Sequence, residues 1–537
     1  MRPFLILAGL IFSAIASAQG WADTTARIET VLSRYKAANP GAQLAISRNG
    51  QMLYSTAKGM ANLEDSIHLT TDSRIEAGSI SKQFTAACIL LLEQQGKLSL
   101  KDDIRKYIPE IPDYGYTITI RHLMTHTSGI KDWGSVAGVT GWPRGTKAYD
   151  NLDALHIISR QTTLNNVPGA EYIYSNSNYN LQAIIIQRVS GLSLAEFSMQ
   201  NIFIPAGMTH TAWRDDYQRI VPHRAIAYSK EKDIYSTEMP NENVYGNGGL
   251  LTTAEDLVRW NNFYLGGHLG HPSLLPRQLA TGPLNNGRHL SYAAGLVVDS
   301  VNGEAVISHS GATAGYRANL EYFPRLGLTI AWLSNTSEGG NGQVPVSIRN
   351  IFVPNKKGTL ITPRAPKSDI AVSQFQPWMG AYRDTLTGEG LRLYMKEDGV
   401  YSEPHGGPLE IIDKNTLKTG RTRIVFTTSA RSLSLIGADG MSTFFRGVDT
   451  AQTTPSSLQQ YVGKYYSEEA EATIYVAWKN GTLIMYTRPT NEQAIKPIYK
   501  DGFSFDEGYI MFLRNAGQAI TGFHVSVGRA RNILFTR

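Results

Sequence analysis

The predicted secondary structure changes in character at residues 354–368, a segment rich in Pro, Lys and Gly that is typical of a linker. Helical and strand-like stretches alternate before it, and almost only strand-like stretches follow it. The second part also repeats: Trp378–Tyr382 (WMGAY) matches Tyr461–Tyr465 (YVGKY), and the turn Asp398-Gly399 matches Asn480-Gly481. A spacing of about 80 residues favours two duplicated small β-barrels.

The first part of the chain has the pattern of a sheet with helices packed against it. Gln43–Ser47 and Met52–Ser55 flank Asn49-Gly50, which is a strong hairpin signal. Further strands are predicted over Ala293–Asp299, Ala305–His309, Arg317–Phe323 and Leu328–Leu333, and helices over 24–38, Thr119–His126, Leu181–Val189 and Thr253–Tyr264. Strands at both ends of one module predict a single antiparallel sheet with flanking helices, an α/β (α+β) fold.

The N-terminus has the pattern of a secretory signal. A charged start, Met1-Arg2-Pro3, precedes the apolar stretch Phe4–Ile15 and the small residues Ala16-Ser17-Ala18. We expect cleavage after Ala18 and export to the periplasm or the medium. No later segment approaches the length of a membrane-spanning helix, so no integral membrane segment is expected after cleavage.

The charge balance argues against nucleic acid as a partner. The net charge of +6 comes from 51 basic and 45 acidic residues, and no dense Lys/Arg cluster stands out. Nucleic acid is therefore not an expected partner.

Ser79-Ile80-Ser81-Lys82 stands at the start of a helix that is apolar nearly all round. Ala86–Leu92 is an unbroken apolar run, and Gly96 provides a stop signal. Residues three apart share a helix face, so the Lys82 amine can accept the proton of the Ser79 hydroxyl. The positive end of the helix dipole would stabilise an alkoxide or oxyanion there.

Spacing alone is weak evidence, because the same Ser-x-x-Lys string occurs at four other places. Only Ser79 stands at the start of a buried helix, and the alternative for it is a plain N-cap with a solvated lysine. The other four strings are Ser33/Lys36, Ser55/Lys58, Ser128/Lys131 and Ser229/Lys232.

Tyr174 and Asn176 follow a Pro-Gly turn and are candidates for a proton shuttle and a substrate-carbonyl holder. Tyr174 would pass a proton to the leaving group if the Lys82 charge lowered its pKa, and the Asn176 amide would hold a carbonyl. A polar loop is the structural alternative, since Tyr-x-Asn recurs at Tyr149/Asn151 and Tyr245/Asn247.

His309-Ser310-Gly311 ends a predicted strand. A strand edge beside the nucleophile would offer the Ala312 backbone N–H, together with that of Ser79, as an oxyanion hole, and Gly311 would let a substrate backbone approach. The alternative is a structural histidine, because His-x-Gly recurs at His268 and His405.

Two other reactive patterns favour structural roles. Cys88, the only cysteine, points to the opposite side of the helix from Ser79 and is expected to be a core residue. His122 and His126 stand four apart on one predicted helix, but no third ligand is apparent. Neither a metal nor any other cofactor is expected.

Ser79-x-x-Lys82, Tyr174-x-Asn176 and His309-x-Gly311, in this order, resemble the three motifs of the serine β-lactamase and penicillin-binding-protein superfamily. The resemblance is closest to its class C-like branch, which includes D-aminopeptidases and carboxylesterases. Segments 123–129 (LMTHTSG) and 248–257 (GGLLTTAEDL) support it.

The resemblance implies Ser79 as the acylated nucleophile, Lys82 as base, Tyr174 as proton relay and Asn176 as substrate anchor. His309 stands where many members have a lysine. Histidine is mostly neutral near pH 7, so strong carboxylate capture by this residue, and with it efficient β-lactam hydrolysis, is disfavoured.

The expected function is that of an exported serine hydrolase that acts through a Ser79 acyl-enzyme on amide or peptide bonds. Peptides that contain D-amino acids are the expected substrates, as for D-aminopeptidases or DD-peptidases. A carboxylesterase is the first alternative and a β-lactamase the second. The non-enzymatic alternative is a catalytically silent protein that binds cell-wall peptides. The expected partner is a small peptide, amide or ester, and the oligomeric state stays open.

The predicted domain order also resembles that of D-aminopeptidases of this kind, in which two antiparallel, lipocalin-like β-barrels follow a catalytic domain. The predicted division is a signal at 1–18, a catalytic domain at 19–353, a linker at 354–372 and barrels at 373–450 and 451–537. The domain order raises the hypothesis that a barrel loop caps the cleft and selects the substrate terminus.

Overall fold

The structure is a computed structural model that describes residues 20–338, 342–355, 370–403, 406–427, 431–437 and 440–537. The predicted signal and most of the predicted linker lie outside the described residues. The predicted domain boundaries stay predictions.

The helices belong mainly to the first part of the chain. They are α1 (20–32), α2 (Ser81–Gln94), α3 (Ile120–Met124), α4 (Trp133–Val139), α5 (Asn151–Ser159), α6 (Ser177–Ser190), α7 (Leu194–Ser198), α8 (Ala254–Leu265), α9 (Leu275–Gln278), α10 (Gln343–Phe352) and α11 (Pro455–Gln459).

The strands before residue 340 are β1 (Ala42–Arg48), β2 (Gln51–Lys58), β3 (Met60–Asn62), β4 (Ile67–His68), β5 (Ile75–Glu76), β6 (Ala212–Trp213), β7 (Tyr228–Glu231), β8 (Ile234–Thr237), β9 (Leu250–Thr252), β10 (Val297–Val301), β11 (Glu304–Thr313), β12 (Tyr316–Phe323) and β13 (Leu328–Ser334).

Two further groups of eight strands follow. The first comprises β14 (Gly380–Asp384), β15 (Gly390–Lys396), β16 (Gly399–Glu403), β17 (Glu410–Asp413), β18 (Thr416–Thr419), β19 (Thr422–Phe426), β20 (Ser432–Ile436) and β21 (Ser442–Val448). The second comprises β22 (Gly463–Ser467), β23 (Ala472–Lys479), β24 (Thr482–Tyr486), β25 (Gln493–Tyr499), β26 (Gly502–Phe505), β27 (Gly508–Arg514), β28 (Ile520–Val527) and β29 (Ala530–Thr536).

A six-stranded antiparallel sheet, in the order β10-β11-β12-β13-β1-β2, organises residues 20–353. This segment corresponds to the predicted catalytic domain and is named here the catalytic part. Its buried strands carry apolar side chains on both faces, because helices cover both. Ala45 of β1 packs into the core that contains most of α2, whereas Leu44 and Ile46 face the core that contains Ile28 of α1 and Ile348 of α10. The sheet is therefore held between two helical layers.

Local signals in the sequence located the strands of this six-stranded sheet. Asn49 and Gly50 have φ of 51° and 81°, as a tight hairpin turn between β1 and β2 requires. The predicted strand over Ala293–Asp299 starts later, at Val297. Ala293 N donates to Leu296 O at 2.8 Å, and this turn packs Gly295 against the backbone of α2.

The helix predicted over 24–38 also differs, since it ends at residue 32. Tyr35 N donates to Leu32 O at 3.0 Å, which is an i→i+3 turn bond that closes the helix before Lys36.

The second part of the chain forms two related β structures. Strands β22–β29 form a closed barrel, named here the closed barrel. Among the described residues, β14–β21 form an eight-stranded sheet that begins with β16 and ends with β17, named here the half-barrel. Tyr382 Oη donates to Trp378 O at 2.7 Å and Tyr465 Oη to Tyr461 O at 2.8 Å, so the repeated motif makes the same bond twice.

The closed barrel contacts the catalytic part, and the half-barrel contacts the closed barrel. Val136 of α4 belongs to the apolar core of the closed barrel. Ala381 of the half-barrel packs with Ile498 and Tyr499 of the closed barrel. The predicted fold class, an antiparallel sheet with flanking helices followed by two small β units, is confirmed.

Candidate active site

Ser79 lies in a tight turn, Gly78–Ile80, directly before α2. Gly78 has a φ of +51°, and a Cβ atom on it would lie 2.7 Å from the Ala312 nitrogen. A Cβ atom on Gly311 would lie 2.0 Å from the Ala77 carbonyl oxygen. Two glycines therefore let strand β11 pack closely against the turn that contains Ser79.

This contact changes the interpretation of Gly311. From the sequence, Gly311 was predicted to bind substrate by allowing a substrate backbone to approach closely. In the structure it packs against Ala77, and its neighbours Ser310 and Ala312 line the cavity instead. Ser79 and Ala312 border the same space, as the predicted oxyanion hole requires.

Lys82 is fully buried on the first turn of α2, and its Nζ lies 3.1 Å from Ser79 Oγ. The same nitrogen lies 3.0 Å from Asn176 Oδ1 and 2.6 Å from Asn247 O. Burial, followed by the charges of Arg144 and Arg529, lowers the pKa of Lys82 well below its usual value.

The contacts of Lys82 define the direction of proton transfer. A neutral amine has two N–H donors and one lone pair. Asn176 Oδ1 and Asn247 O can only accept, so they take the two donors. The lone pair is left for the Ser79 hydroxyl proton, which is the arrangement a general base needs.

Asn176 is held by a buried carboxylate. Its backbone N donates to Asp132 Oδ2 at 2.6 Å, while its side-chain oxygen accepts from Lys82. The Asn176 amide nitrogen is therefore the free end of the side chain, and Asn176 borders the cavity. This geometry fits the predicted carbonyl holder.

Tyr174 borders the cavity, but its electrostatics differ from the sequence expectation. Its ring centroid lies 4.7 Å from Lys82 Nζ. Burial raises the pKa of the Tyr174 phenol well above its usual value, and the neighbouring Ser79 hydroxyl opposes this shift only in part. The expectation that the Lys82 charge lowers this pKa is wrong, because burial dominates and disfavours the Lys82 charge itself. Tyr174 is thus a protonated hydrogen-bond donor.

His309 lies on β11 with both ring nitrogens occupied. Nδ1 lies 2.6 Å from Ser310 O, which can only accept, so this nitrogen carries the proton. Nε2 then accepts from Tyr292 Oη at 3.1 Å. Burial, with a smaller effect of the Lys82 charge, lowers the pKa of His309 to about 4. The side chain is neutral at pH 7, as its residue type indicated.

These groups surround a cavity of about 310 Å³. The sequence analysis gave no role in the site to the lining residues Arg144, Asn247 and Arg529. Asn247 belongs to a Tyr-x-Asn string that carried no Pro-Gly signal. Arg529 comes from the closed barrel, and no local pattern links it to Ser79. The lining residues are Gly78, Ser79, Arg144, Tyr174, Asn176, Asn247, Gly248, His309, Ser310, Ala312, Thr313 and Arg529.

The structure gives other roles to two of the competing Ser-x-x-Lys strings. Lys131 Nζ forms a buried ion pair with Glu469 at 3.1 Å, and Ser128 Oγ donates to Asn178 Oδ1. Ser55 Oγ donates to Glu255. Lys58 pairs with a carboxylate of α1.

The remaining reactive candidates have structural partners. Cys88 is a free, buried thiol whose pKa is raised by burial. His122 Nδ1 accepts from Thr119 N in the capping box of α3. His126 is buried, with its ring centroid 4.2 Å from that of Tyr174.

The described residues contain neither a candidate metal site nor a candidate membrane-spanning helix. They bring together no group of three or more His, Cys, Asp or Glu side chains suited to holding a metal ion. None of the described helices has the combination of length and hydropathy that a bilayer-spanning segment requires.

A serine hydroxyl 3.1 Å from a buried lysine whose pKa is lowered, on a sheet flanked by helices, is the arrangement expected of a serine hydrolase. The chain belongs to the beta-lactamase family, whose model, described as Beta-lactamase, matches residues 25–347.

Similar proteins agree with this assignment. Penicillin-binding protein 4* of Bacillus subtilis is 31% identical over 321 residues, which cover 54% of this chain and 67% of that protein. A D-aminopeptidase of Brucella anthropi is 24% identical over 519 residues, covering 93% and 95%. The structure of an octameric penicillin-binding protein homologue from Pyrococcus abyssi superposes with a TM-score of 0.55 and 21% identity, covering 79% and 99%.

Proposed function

We propose that this serine hydrolase cleaves amide or peptide bonds that involve D-amino acids, through an acyl-enzyme on Ser79. The observation that carries the proposal is the Lys82 amine. It is buried and 3.1 Å from Ser79 Oγ, and two carbonyl acceptors orient its lone pair toward the hydroxyl. The D-amino-acid preference is supported by the similarity to the D-aminopeptidase along nearly the whole chain.

The reaction begins when Ser79 Oγ attacks the carbonyl carbon and passes its proton to Lys82 Nζ. The oxyanion that forms accepts hydrogen bonds from the backbone N–H groups of Ser79 and Ala312. The phenol of Tyr174 protonates the leaving nitrogen as the C–N bond breaks, and the Lys82 ammonium returns a proton to Tyr174. Water then hydrolyses the Ser79 ester by the reverse sequence of proton transfers.

Intact-mass analysis with a serine-reactive phosphonate tests the nucleophile. We expect one covalent adduct on the native chain and none on Ser79→Ala. The matched control is Ser229→Ala, which removes the serine of another Ser-x-x-Lys string and should leave labelling unchanged. A folded native protein without an adduct would favour the alternative of a catalytically silent binding protein.

Lys82→Gln tests the base. It keeps a polar side chain but lacks the basic lone pair, so kcat should fall by about 10²- to 10⁴-fold. Circular dichroism and the melting temperature of the variant control for folding. An active, folded Lys82→Gln variant would contradict the role of Lys82.

A substrate panel separates the amidase from its alternatives. Matched D- and L-aminoacyl amides, short-chain nitrophenyl esters and a chromogenic β-lactam should be compared by kcat/KM. The proposal requires the D-amide to exceed its L-enantiomer. Esters as the only substrates would favour a carboxylesterase, and preferred β-lactam turnover would favour a β-lactamase.

Export is also proposed, on the pattern of residues 1–18 alone. N-terminal sequencing of the protein recovered from a bacterial host's periplasm or medium should begin at Gln19. Recovery of the full-length chain from the cytosol alone would contradict it.

A further inference from the structure

Arg529 brings a charge from the closed barrel into the active-site cavity. It lies in the turn between β28 and β29, and its side chain borders the cavity that contains Ser79. Its guanidinium carbon lies 4.9 Å from the centroid of the Tyr174 ring. The same ring lies 4.7 Å from Lys82 Nζ. Arg529 is therefore one aromatic ring away from the catalytic amine.

The other basic side chains around the cavity do not offer a free charge. Burial disfavours the charged forms of Lys82 and His309. Arg144 forms two hydrogen bonds to the carboxylate of Glu242, which neutralises it. Among the described residues that line the cavity, Arg529 is the cation without a carboxylate partner, and its side chain is exposed. An anionic ligand in the cavity would therefore pair with the Arg529 guanidinium.

The backbone of Arg529 is fixed to the catalytic part. Its carbonyl oxygen accepts from Asp132 N at 3.0 Å and from Asn165 Nδ2 at 2.9 Å. Asp132 also holds Asn176, whose side chain contacts Lys82. A continuous series of hydrogen bonds thus joins the barrel turn to the catalytic amine.

A second arginine of the same segment strengthens this attachment. Arg531 pairs with Glu171 at 3.1 Å, and its backbone N donates to Asn165 Oδ1 at 2.8 Å. The turn therefore has little freedom, and Arg529 presents its guanidinium to the cleft from a fixed base.

We propose that Arg529 selects substrates that carry a carboxylate close to the scissile bond. A guanidinium binds a carboxylate through paired, charge-assisted hydrogen bonds, and it repels an ammonium group. Arg529 thereby supplies the carboxylate recognition that neutral His309 cannot. This inference rests on the proposed function. It narrows the expected substrates from D-amino-acid amides in general to those that carry a carboxylate near the scissile bond.

The first test is hydrolysis of two substrate pairs that differ only in the carboxylate. One pair is N-acetyl-D-alanyl-D-alanine and its C-terminal amide, and the other is the 4-nitrophenyl esters of succinic and butyric acid. In the native enzyme the carboxylate member of at least one pair should have the higher kcat/KM. Arg529→Gln should reduce this ratio about tenfold, as expected for a lost charge-assisted hydrogen bond, and Arg529→Lys should retain part of it.

Arg421→Gln is the matched control. Arg421 is an exposed arginine in the turn between β18 and β19 of the half-barrel, so the variant makes the same charge change away from the cleft. Its ratios should equal those of the native enzyme. A native enzyme without preference in either pair, or a preference that survives Arg529→Gln, would overturn the proposal.

A binding measurement keeps this test separate from catalysis. In the Ser79→Ala background, calorimetry should show tighter binding of N-acetyl-D-alanine than of N-acetyl-D-alaninamide, and Arg529→Gln should remove the difference. Equal binding of the two ligands contradicts the role of Arg529. Failure of the native Ser79 to form a phosphonate adduct contradicts the proposed function instead.

Discussion

The half-barrel and the closed barrel contain the same motif but differ in what they contact. Tyr382 and Tyr465 make the same hydrogen bond to the backbone four residues earlier. At one matching position in the first turn of each unit, Leu386 is 67% exposed, whereas Glu469 is 5% exposed and pairs with Lys131. The two units thus share this bond, but only the first turn of the closed barrel places a buried carboxylate against Lys131.

The largest effect is expected where the closed barrel is attached. Glu469→Gln leaves Lys131 as a buried cation without its counter-ion, which should cost about 3 kcal/mol in the free energy of unfolding. Urea denaturation measures this loss. Leu386→Gln, at the equivalent turn of the half-barrel, is the control and should change stability by less than about 0.5 kcal/mol. Equal losses of unfolding free energy in the two variants would show that the two turns do not differ in their contribution to stability.

Acid should affect the catalytic part before the half-barrel. His309 has a folded pKa of about 4 and an unfolded value near 6.5, so only the unfolded chain takes up this proton between those pH values. The free energy of unfolding is therefore unaffected by His309 above pH 6.5 and falls by about 3 kcal/mol as the pH drops from 6.5 to below 4.

Hydrogen exchange at pH 7 and pH 4.5 locates this effect. Exchange should increase in peptides from β11 and β12 before it increases in β14–β16. His309→Gln should flatten the pH dependence. Simultaneous opening of both regions would contradict the assignment to His309.

The repeated tyrosines should behave alike. Tyr382→Phe and Tyr465→Phe each remove one hydroxyl that donates to a backbone carbonyl, and each should cost about 1 kcal/mol. Thermal or urea unfolding of both variants provides the comparison. Losses that differ by several-fold would show that the two motifs are not equivalent in energy.

The smallest effect concerns the pH profile. The Arg529 charge helps to lower the pKa of Lys82, so Arg529→Gln should raise that pKa and move the acidic limb of kcat/KM to higher pH. Both members of a substrate pair should shift equally, because the change is in the base. Arg421→Gln should leave the limb in place. An unchanged limb in Arg529→Gln would mean that Arg529 has no electrostatic effect on Lys82.

The sequence predicted the features that depend on near neighbours. The Asn49-Gly50 turn and the Ser79/Lys82 pair involve residues at most three apart, so local backbone geometry was sufficient. The motif order added Tyr174 and Asn176 through a family resemblance. Arg529 was not predicted as a site residue, because its position in the cavity depends on how the closed barrel packs against Asp132 and Asn165. No local pattern encodes that packing.

The electrostatic state of the site was equally inaccessible from sequence. The pKa of Tyr174 depends on burial among distant segments, and burial reversed the expected direction of its shift. The packing of Gly311 could not be predicted either, because its contact residue, Ala77, lies far earlier in the chain. Spacing indicates which groups are near, but the surrounding packing determines their protonation.

The packing of Val136 into the core of the closed barrel has a consequence for biosynthesis. Helix α4 leaves the ribosome long before β28 and β29, so Val136 lacks its apolar surroundings while most of the chain is being made. The turn with Arg529 is likewise made long after Ser79 and Lys82. A nascent chain therefore carries Ser79 and Lys82 early but acquires the complete cleft only when β28 and β29 dock.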